Sequence, residues 1–526
     1  MRYKHSSVLV FIVFLAFSAG AQLPSQMADI LIKNAKILDG TGNSWFYGDI
    51  AVGGGKIIQI GKLGGWNAKK VIDATGLVAA PGFIDVHTHI EGDEVKNPEA
   101  TNFIYDGVTT VITGNCGLSD ANIGRYLYKI DSLHTSVNVA ALIGHNDVRK
   151  AVMGRASRNP TEAEMQAMEN IVDQAMRDGA VGMSTGLIYI PGTYSTTEEI
   201  VRLAKVASKY GGVYASHMRD EGDSVVAAIE EALYIGRTAK MAVQISHFKL
   251  SGQQNWGRSS VTVPLIMNAR KNGLDVTIDQ YPYTASSTSL STLIPDWVLA
   301  DGQDSIEARL ANPTIRKEVA NYMLARLAKR KLKHFSYPVV AYFAKDTTLN
   351  GKSIEEVNVF LGKKQTAKEE AETIIQMIEK GGASMVFHGM SEADVKAIMR
   401  YPFNMFASDA SIRVYNEGNP HPRGYGTNAR VLKKYVREEN VIELEEAVRR
   451  MTSLPAQKFG FTNRGLLRQN FAADIVLFNE AEVGDRSEYK NPHQYAVGFN
   501  YVIVNGVVTI DAGVHTGARA GVAIRK

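Results

Sequence analysis

Residues 81–90 read PGFIDVHTHI, a short apolar run that closes on two histidines separated by one residue. Eight such runs follow one another along the middle of the chain: FIDVHTHI (83–90), VTTVITGNC (108–116), NVAALIGHND (138–147), AVGMSTGL (180–187), GVYASHMRD (212–220), AVQISHFK (242–249), LDVTIDQYPY (274–283) and FNMFASD (403–409). Helix-like stretches separate several of them. Because apolar strands that alternate with helices are typical of a parallel sheet, we predict an α/β fold built on a (β/α)8 TIM-type barrel.

The clearest helical stretch is TEAEMQAMENIVDQAMRDG, residues 161–179. Thr161 is its candidate N-cap, Glu164 follows in capping-box spacing, and Gly179 closes the stretch. A second helix is predicted over SVVAAIEEALYIGRTAK, residues 224–240. Both lie between strand-like runs, as a barrel of alternating strands and helices requires.

The two ends of the chain differ from this middle part. Residues 28–80 and 469–526 contain short alternating or β-branched runs, with Gly, Asn and Asp at many of the turns. We predict that both ends together form one small β-sandwich domain. The barrel would then occupy residues 81–468.

One long stretch interrupts the barrel pattern between the seventh and eighth runs. Residues 286–380 are too many for a single crossover and include a helical segment, TIRKEVANYMLARLAKR. We interpret them as an inserted lid subdomain over the barrel mouth. The alternative is an additional surface layer of helices without a gating role.

The N-terminus predicts export from the cytoplasm. Arg2 and Lys4 precede an apolar run over residues 8–17, and Ala-Gly-Ala at 19–21 is a small-residue cleavage site. This pattern indicates a signal peptide, residues 1–21, and a periplasmic or secreted product. The apolar run is shorter than the roughly 20 residues that span a bilayer, so we expect no stable membrane insertion after cleavage. The alternative is an uncleaved anchor.

Composition narrows the function classes. Hydrophobic residues make up 45% and charged residues 21% of the chain, which is the balance of a folded globular protein. The net charge of +4 and the lack of a Lys/Arg-rich tract do not favour nucleic-acid binding. Cys116 is the single cysteine, so no internal disulfide can form, and a free thiol outside the cytoplasm would be open to oxidation.

Polar residues stand at the C-terminal ends of the apolar runs, the ends that open on the active-site face of a barrel. They are His87, His89, Cys116, His217, His247 and Asp409. Taken singly, each histidine could be a core residue and the cysteine an ordinary buried thiol. Together, one thiolate and two imidazoles from Cys116, His217 and His247 form a zinc ligand set that leaves a position open for water.

The other polar residues suggest further roles. His87 and His89 would point to one face of a strand and could hold a divalent metal. Asp409 could take a proton from water and deliver it to a leaving nitrogen, although it could also be a capping residue. Lys249 and Arg423 suggest a substrate with a carboxylate, unless they form surface salt bridges. Flanking tyrosines complete the candidate set: Tyr189, Tyr281 and Tyr283.

Several longer sequence segments, taken together, are specific enough to indicate a protein family. They are PGFIDVHTH, GVTTVITGNCG, GMSTGLIY, ASHMRDEGDSVVAAIEEAL, QISHFKLSGQQNWG, DQYPYTASST, HPRGYGTNARVLKKYVRE and MTSLPAQKFGFTNRGLLRQNFAADIVLF. With them the chain resembles the amidohydrolase superfamily, and within it the N-acyl-D-amino-acid deacylases (D-aminoacylases). The resemblance covers most of the chain after residue 21.

The resemblance implies the following site. A tight zinc would bind Cys116, His217 and His247, and a second, weak metal position would lie near His87 and His89. Asp409 would be the catalytic acid and base. The substrate carboxylate would be held by Lys249, Arg423, Tyr283 and Tyr189. The fourth run has no lysine to bridge two metals, which favours one working zinc.

The resemblance also implies the reaction, which is hydrolysis of a small N-acyl-D-amino acid to a carboxylate and a free D-amino acid. Two departures from the family pattern concern the metal surroundings, HTHIEGD instead of an Asp after the second histidine and SDAS instead of SDG. The alternatives are a cyclic-amide hydrolase, such as a hydantoinase or dihydroorotase, and a non-catalytic binding protein. The missing lysine argues against the first, and the intact ligand and acid–base set argues against the second.

Overall fold

A computed structural model describes residues 26–526, so the predicted signal peptide lies outside the described residues. The described chain has three parts. A nine-stranded sheet combines both ends of the chain, a ring of parallel strands forms the middle, and a three-stranded antiparallel sheet belongs to an insertion.

The terminal sheet joins the N-terminal and C-terminal strands edge to edge. Its strands are Met27–Ile37, Phe46–Gly53, Lys56–Gly61, Asn67–Asp73, Val78–Pro81, Ile475–Phe478, Phe499–Val504, Val507–Asp511 and Val514–His515. The two halves meet where Val78–Pro81 pairs antiparallel with Ile475–Phe478. Apolar side chains from both halves, such as Ile32 and Ile503, share one buried cluster. The predicted β-domain built from both termini is therefore confirmed.

The middle of the chain forms the predicted barrel. Its eight strands are Phe83–Asp85, Val108–Thr113, Asn138–Ala141 with its continuation Ile143–Gly144, Gly182–Gly186, Val213–His217, Ala242–Ile245, Val276–Gln280 and Asn404–Phe406. Neighbouring strands are parallel. The ring closes just beyond its first and last strands, where the Asp409 N–H donates to His87 O and the His89 N–H donates to Ala410 O, both at 2.9 Å.

Helices surround the barrel or connect its strands. They are Asp93–Lys96, Thr101–Ile104, Ile123–Leu133, His145–Met153, Glu162–Arg177, Thr197–Ser208, Val225–Ala239, Ser259–Lys271, Glu392–Met399, Arg423–Arg430, the π-helical Val431–Glu438, Leu444–Met451 and Ser453–Phe459. Thr161 and Glu164 form the predicted capping box, and Gly179 has a positive φ of 105° after the helix end. Both helices predicted from the sequence are present.

The insertion is a mixed subdomain with its own core. Its strands are Ala285–Ser289, Pro338–Tyr342 and Ser384–His388, and its helices are Gln303–Ala311, Pro313–Lys329, Ile354–Phe360 and Ala367–Glu379. Leu290, Met323 and Met385 belong to a buried cluster separate from that of the barrel. The sequence predicted the insertion and its helices, but it did not predict the small sheet.

In the part of the chain from residue 26 onward, no helix combines the length and apolar character that crossing a bilayer requires.

Candidate metal centre and active site

A cavity of about 1140 Å³ opens at the C-terminal ends of the barrel strands. The insertion forms part of its wall through residues 286–289 and 381–384. Nine of the eleven candidate residues line it: His89, Cys116, Tyr189, His217, His247, Lys249, Tyr281, Asp409 and Arg423. His87 lies fully buried beneath Cys116, whereas Tyr283 is placed elsewhere. The structure thus brings ten of the eleven candidates together.

The backbone at the strand ends turns three of these side chains into the cavity. Cys116, His247 and Asp409 have positive φ angles of 53°, 35° and 52°. Residues other than glycine rarely adopt this left-handed conformation, and it occurs preferentially at functional sites. All three are buried, so the surrounding barrel holds them in this conformation.

The donor atoms of Cys116, His217 and His247 converge. Cys116 Sγ lies 3.4 Å from His217 Nδ1 and 3.6 Å from His247 Nε2. A sulfur and a nitrogen on one tetrahedral zinc are separated by about 3.5 Å, given usual Zn–S and Zn–N bond lengths. The two imidazole nitrogens are 2.8 Å apart, closer than the roughly 3.3 Å expected around zinc. Small ring shifts would complete the fit, so these residues suit a zinc ion.

A second group of donors adjoins the first and shares Cys116 with it. His87 Nε2 lies 3.3 Å from Cys116 Sγ, and His89 Nε2 lies 3.2 Å from Asp409 Oδ1. His87 and His89 therefore face the same space, as predicted from their spacing. The arrangement offers a second position for a metal.

Electrostatics keep both the thiol and the carboxyl of this centre ionised. Burial favours the neutral thiol, but the charge of His87, together with the interactions with His217 and His247, outweighs it and holds the pKa of Cys116 well below its usual value. Burial likewise disfavours a charged Asp409, but Arg423 and His87 hold the pKa of this carboxyl well below its usual range. A thiolate is the form of cysteine that binds a metal, and an ionised carboxylate can accept a proton.

Sequence analysis missed two carboxylates that contact the candidate metal-binding histidines. Glu221 Oε1 lies 2.8 Å from His247 Nδ1, on the opposite side of the ring from Cys116. Asp279 Oδ1 accepts the His247 N–H at 2.7 Å and lies 3.4 Å from His87 Nδ1. Such carboxylates fix the tautomer and ring orientation of a ligating histidine. The sequence did offer a signal for each: Glu221 lies four residues after His217, and Asp279 lies inside the seventh strand-like run.

Two cations stand beside the centre. Arg423 Nη1 lies 2.8 Å from Asp409 Oδ2, and its Nη2 donates to Ser287 O at 3.3 Å. Lys249 Nζ is 2.8 Å from His247 Nδ1 and also pairs with Glu221. Both cations are buried, which strengthens their attraction for a substrate anion.

His421, which sequence analysis also missed, positions Arg423. Its Nδ1 accepts the Arg423 N–H at 3.0 Å, and its Nε2–H donates to Ala285 O at 2.9 Å. Burial and the charge of Arg423 hold the pKa of His421 well below its usual value, so the ring is neutral. The imidazole thereby links the Arg423 backbone to the first strand of the insertion. Its position two residues before Arg423, in the segment HPRG, was the sequence signal that could have indicated this role.

The two tyrosines of the seventh run have different positions. Tyr281 lines the cavity, and the Arg423 guanidinium lies 4.6 Å from its ring centre. Tyr283 is buried behind the wall, with its ring 5.2 Å from that of His421. The strand ends at Gln280, and the Tyr283 N–H donates to Tyr281 O in a tight turn, so strand alternation no longer applies. The structure therefore places Tyr283 behind the cavity wall, and its contact with the substrate carboxylate stays a prediction.

Comparisons with known proteins cover almost the whole chain. The model of the amidohydrolase family matches residues 70–510. The N-acyl-D-aspartate deacylase and the D-aminoacylase of Alcaligenes xylosoxydans xylosoxydans are 36% and 35% identical to it; the matches cover 94% and 95% of this chain and 94% and 98% of those proteins.

A solved structure extends this likeness to three dimensions. It is the N-acyl-D-glutamate deacylase of Bordetella bronchiseptica, complexed with zinc and a phosphonate inhibitor that mimics the tetrahedral intermediate. It is 33% identical, with a TM-score of 0.81, over 95% of this chain and 100% of that one. Since the family match spans most of the sequence and the relatives are matched over nearly their full length, the chain belongs to the amidohydrolase family.

Proposed function

We propose that this protein is a metal-dependent deacylase that hydrolyses the amide bond of small N-acyl-D-amino acids, giving a carboxylate and a free D-amino acid. The observation that carries the proposal is the position of Asp409, between the Cys116, His217 and His247 cluster and the cation of Arg423. The names of the relatives support the substrate class, since all three are deacylases of D-amino acids or D-aminoacylases.

Zinc is the metal that best suits the donors. Cys116, His217 and His247 would hold it tightly, because a thiolate with two imidazoles is a preferred zinc set. His87 and His89 would form a weaker second position. The fourth strand, Gly182–Gly186, carries no lysine that could bridge two ions. When bound, zinc would supply Lewis-acid chemistry to the scissile carbonyl and the attacking water.

Asp409 performs the proton transfers. Its ionised carboxylate takes a proton from the attacking water as the new C–O bond forms. It then gives that proton to the amide nitrogen as the C–N bond breaks, so the amine leaves in neutral form. Arg423, 2.8 Å from its Oδ2, keeps the carboxylate ionised before the reaction.

The substrate carboxylate binds on the side of the cavity where Lys249, Arg423 and Tyr281 meet. Lys249 and Arg423 lie 5.7 and 4.6 Å from the Tyr281 ring centre, so the three groups form one surface. An arginine fork can grip a carboxylate with two parallel hydrogen bonds. Tyr189, whose hydroxyl is hydrogen-bonded to Thr288 at 2.9 Å, lines the same cavity.

The first experiment is an assay of amine release from N-acetyl-D- and N-acetyl-L-amino acids, using protein of measured zinc content. We expect turnover of D-compounds alone, at a rate that follows bound zinc. Hydantoin and dihydroorotate serve as controls, and turnover of these alone would identify a cyclic-amide hydrolase. No turnover of any compound by fully zinc-loaded protein would favour a binding protein instead.

Replacing the proton carrier tests the mechanism. Asp409→Asn is expected to lower kcat by a factor of about 10² to 10⁴, the usual contribution of a general acid–base residue. Its zinc content should match that of the wild type, because the three proposed tight ligands are intact. Near-normal turnover by this variant would refute the assignment.

We also propose that the protein is exported and acts in the periplasm or outside the cell, on the basis of residues 1–21 alone. Cell fractionation and the N-terminal sequence of the mature protein test this. Cleavage after Ala21 is expected, and an intact Met1 on cytoplasmic protein would contradict it.

A further inference from the structure

Arg413 is an arginine of the active-site cavity that the reaction does not use. It lies four residues after Asp409, in the loop that follows the eighth barrel strand, and it lines the same cavity as Asp409 and Arg423. Its backbone is fixed, since its N–H donates to Asn102 Oδ1 and its carbonyl accepts from Asn97 Nδ2, both at 3.1 Å. The loop therefore presents this side chain to the cavity in a defined position.

The guanidinium of Arg413 lacks protein partners among residues 26–526. It forms no ion pair or hydrogen bond with them, and its Nε is buried without an acceptor. Buried polar groups are nearly always hydrogen-bonded, so an unsatisfied arginine at a cavity wall calls for an explanation. A ligand acceptor inside the cavity would provide one.

The surroundings favour an anion as that acceptor. Arg413 lies against Gly424, the residue that follows Arg423; a Cβ on this glycine would lie only 3.1 Å from Arg413 Nε. The Arg413 side chain therefore packs against the backbone next to Arg423. Burial and the charge of Arg423 both lower the pKa of Arg413, and Tyr425, Asp93 and Asp409 only partly offset them. An added negative charge would relieve this repulsion.

Other carboxylates of the same wall do not fill this role. Glu94 pairs with Lys129 at 2.8 Å, and Asp120 pairs with Arg125 at the same distance. Asp93 and Glu417 line the cavity too, but within the described chain neither forms an ion pair with Arg413. The negative charges of Asp93 and Glu417 make the cavity less attractive to an anion, but these carboxylates leave the Arg413 guanidinium available for a ligand.

We propose that Arg413 forms a second anion-binding position in the active-site cavity, for a carboxylate of the substrate other than the α-carboxylate. The proposal rests on the proposed deacylase function, in which Arg423 and Lys249 take the α-carboxylate. The second carboxylate is carried either by the amino-acid side chain or by the acyl group. In both cases Arg413 sets specificity and leaves the proton transfers of Asp409 unchanged.

The test compares two dianionic substrates with a monoanionic reference substrate, using zinc-loaded full-length protein. N-acetyl-D-glutamate carries the extra charge on the side chain, N-succinyl-D-glutamine carries it on the acyl group, and N-acetyl-D-glutamine lacks it. We expect one dianion to exceed N-acetyl-D-glutamine about tenfold or more in kcat/KM, the range of a hydrogen bond to a charged group. The dianion that shows this preference identifies the source of the carboxylate.

Variants then assign the preference to one residue. Arg413→Met should abolish it, mainly by raising KM for the dianion, and Arg413→Lys should restore part of it. Lys129→Met is the matched control, because this cavity lysine is already paired with Glu94, and it should leave the ratio unchanged. A wild-type ratio near one for both dianions, or an unchanged ratio in Arg413→Met, would overturn the proposal.

Failure of the proposed function would look different. If no N-acyl-D-amino acid is hydrolysed, the deacylase assignment fails, while calorimetric binding of N-acetyl-D-glutamate, N-succinyl-D-glutamine and N-acetyl-D-glutamine still tests Arg413. Tighter binding of one dianion, lost in Arg413→Met, supports the anion position. Equal binding of all three compounds contradicts it.

Discussion

At the residue scale, the metal centre depends on groups that do not touch a metal. Glu221 contacts Nδ1 of His247, so that Nε2 on the other side of this ring faces Cys116. Asp279 fixes the His247 backbone from the neighbouring strand. These contacts explain how three ligands from different strands keep their donor atoms directed at one point.

Glu221→Gln should weaken zinc binding about 10- to 100-fold, because the neutral amide no longer stabilises the imidazole orientation and basicity. Competition with a chelator measures the change. Asp223→Asn is the matched control from the same loop, since Asp223 pairs with Lys329 and not with a ligating histidine. Equal zinc affinity of wild type and Glu221→Gln would contradict this role.

At the element scale, the helix Arg423–Arg430 begins with the arginine proposed to bind the substrate carboxylate and is interrupted by Gly426, which has an extended φ of −162°. The interruption leaves backbone donors without helical partners. Asp106 accepts them: its Oδ2 accepts the Asn428 N–H and its Oδ1 the Ala429 N–H, both at 2.8 Å. This carboxylate, from the turn before the second barrel strand, thereby supports the helix that begins at Arg423.

Asp106→Ala should lower the free energy of unfolding by about 2 kcal/mol, because buried N–H groups lose their acceptor. It should also raise KM for N-acyl-D-amino acids more than it lowers kcat, because Arg423 binds the substrate carboxylate, whereas the Asp409 backbone stays fixed by its hydrogen bond to His87 O. Urea denaturation and steady-state kinetics measure the two effects. Asp106→Asn keeps one acceptor oxygen and should recover part of the stability and part of the KM. A loss confined to kcat would contradict the proposed role of Asp106 in positioning Arg423.

At the scale of the whole molecule, the candidate zinc ligands follow or end the second, fifth and sixth barrel strands. An ion bound by all three would connect parts of the chain more than 100 residues apart in sequence. Binding to the folded state alone stabilises it by about 2.7 kcal/mol at a hundredfold excess over Kd.

Chelation should therefore lower the Tm, and added zinc should restore it. Cys116→Ser is the control, because it lacks the thiolate and should show little zinc-dependent shift. Differential scanning calorimetry at several zinc concentrations measures this. If the Tm of the wild type does not change with zinc concentration, the ion does not contribute to barrel stability.

Much of this architecture could be predicted because its signals are local. Apolar strand runs, the capping box at Thr161 and the histidine, cysteine and aspartate residues at strand ends are all visible within a few residues. The position of Tyr283 could not be predicted in this way. Alternation holds only while the strand continues, and the tight turn after Gln280 sends this side chain behind the wall.

The sequence alone determined the eight-stranded barrel, the domain from both termini, the insertion and the set of chemically active residues, since each follows from periodicity or from residue type at a strand end. Only the tertiary structure decided which charges meet. Glu221 reaches His247, Asp106 reaches the Arg423 helix, and the Arg413 guanidinium faces the cavity without a partner among residues 26–526. The physical reason is that these contacts join loops distant in sequence, and loop directions depend on packing and hydrogen bonds across the whole barrel.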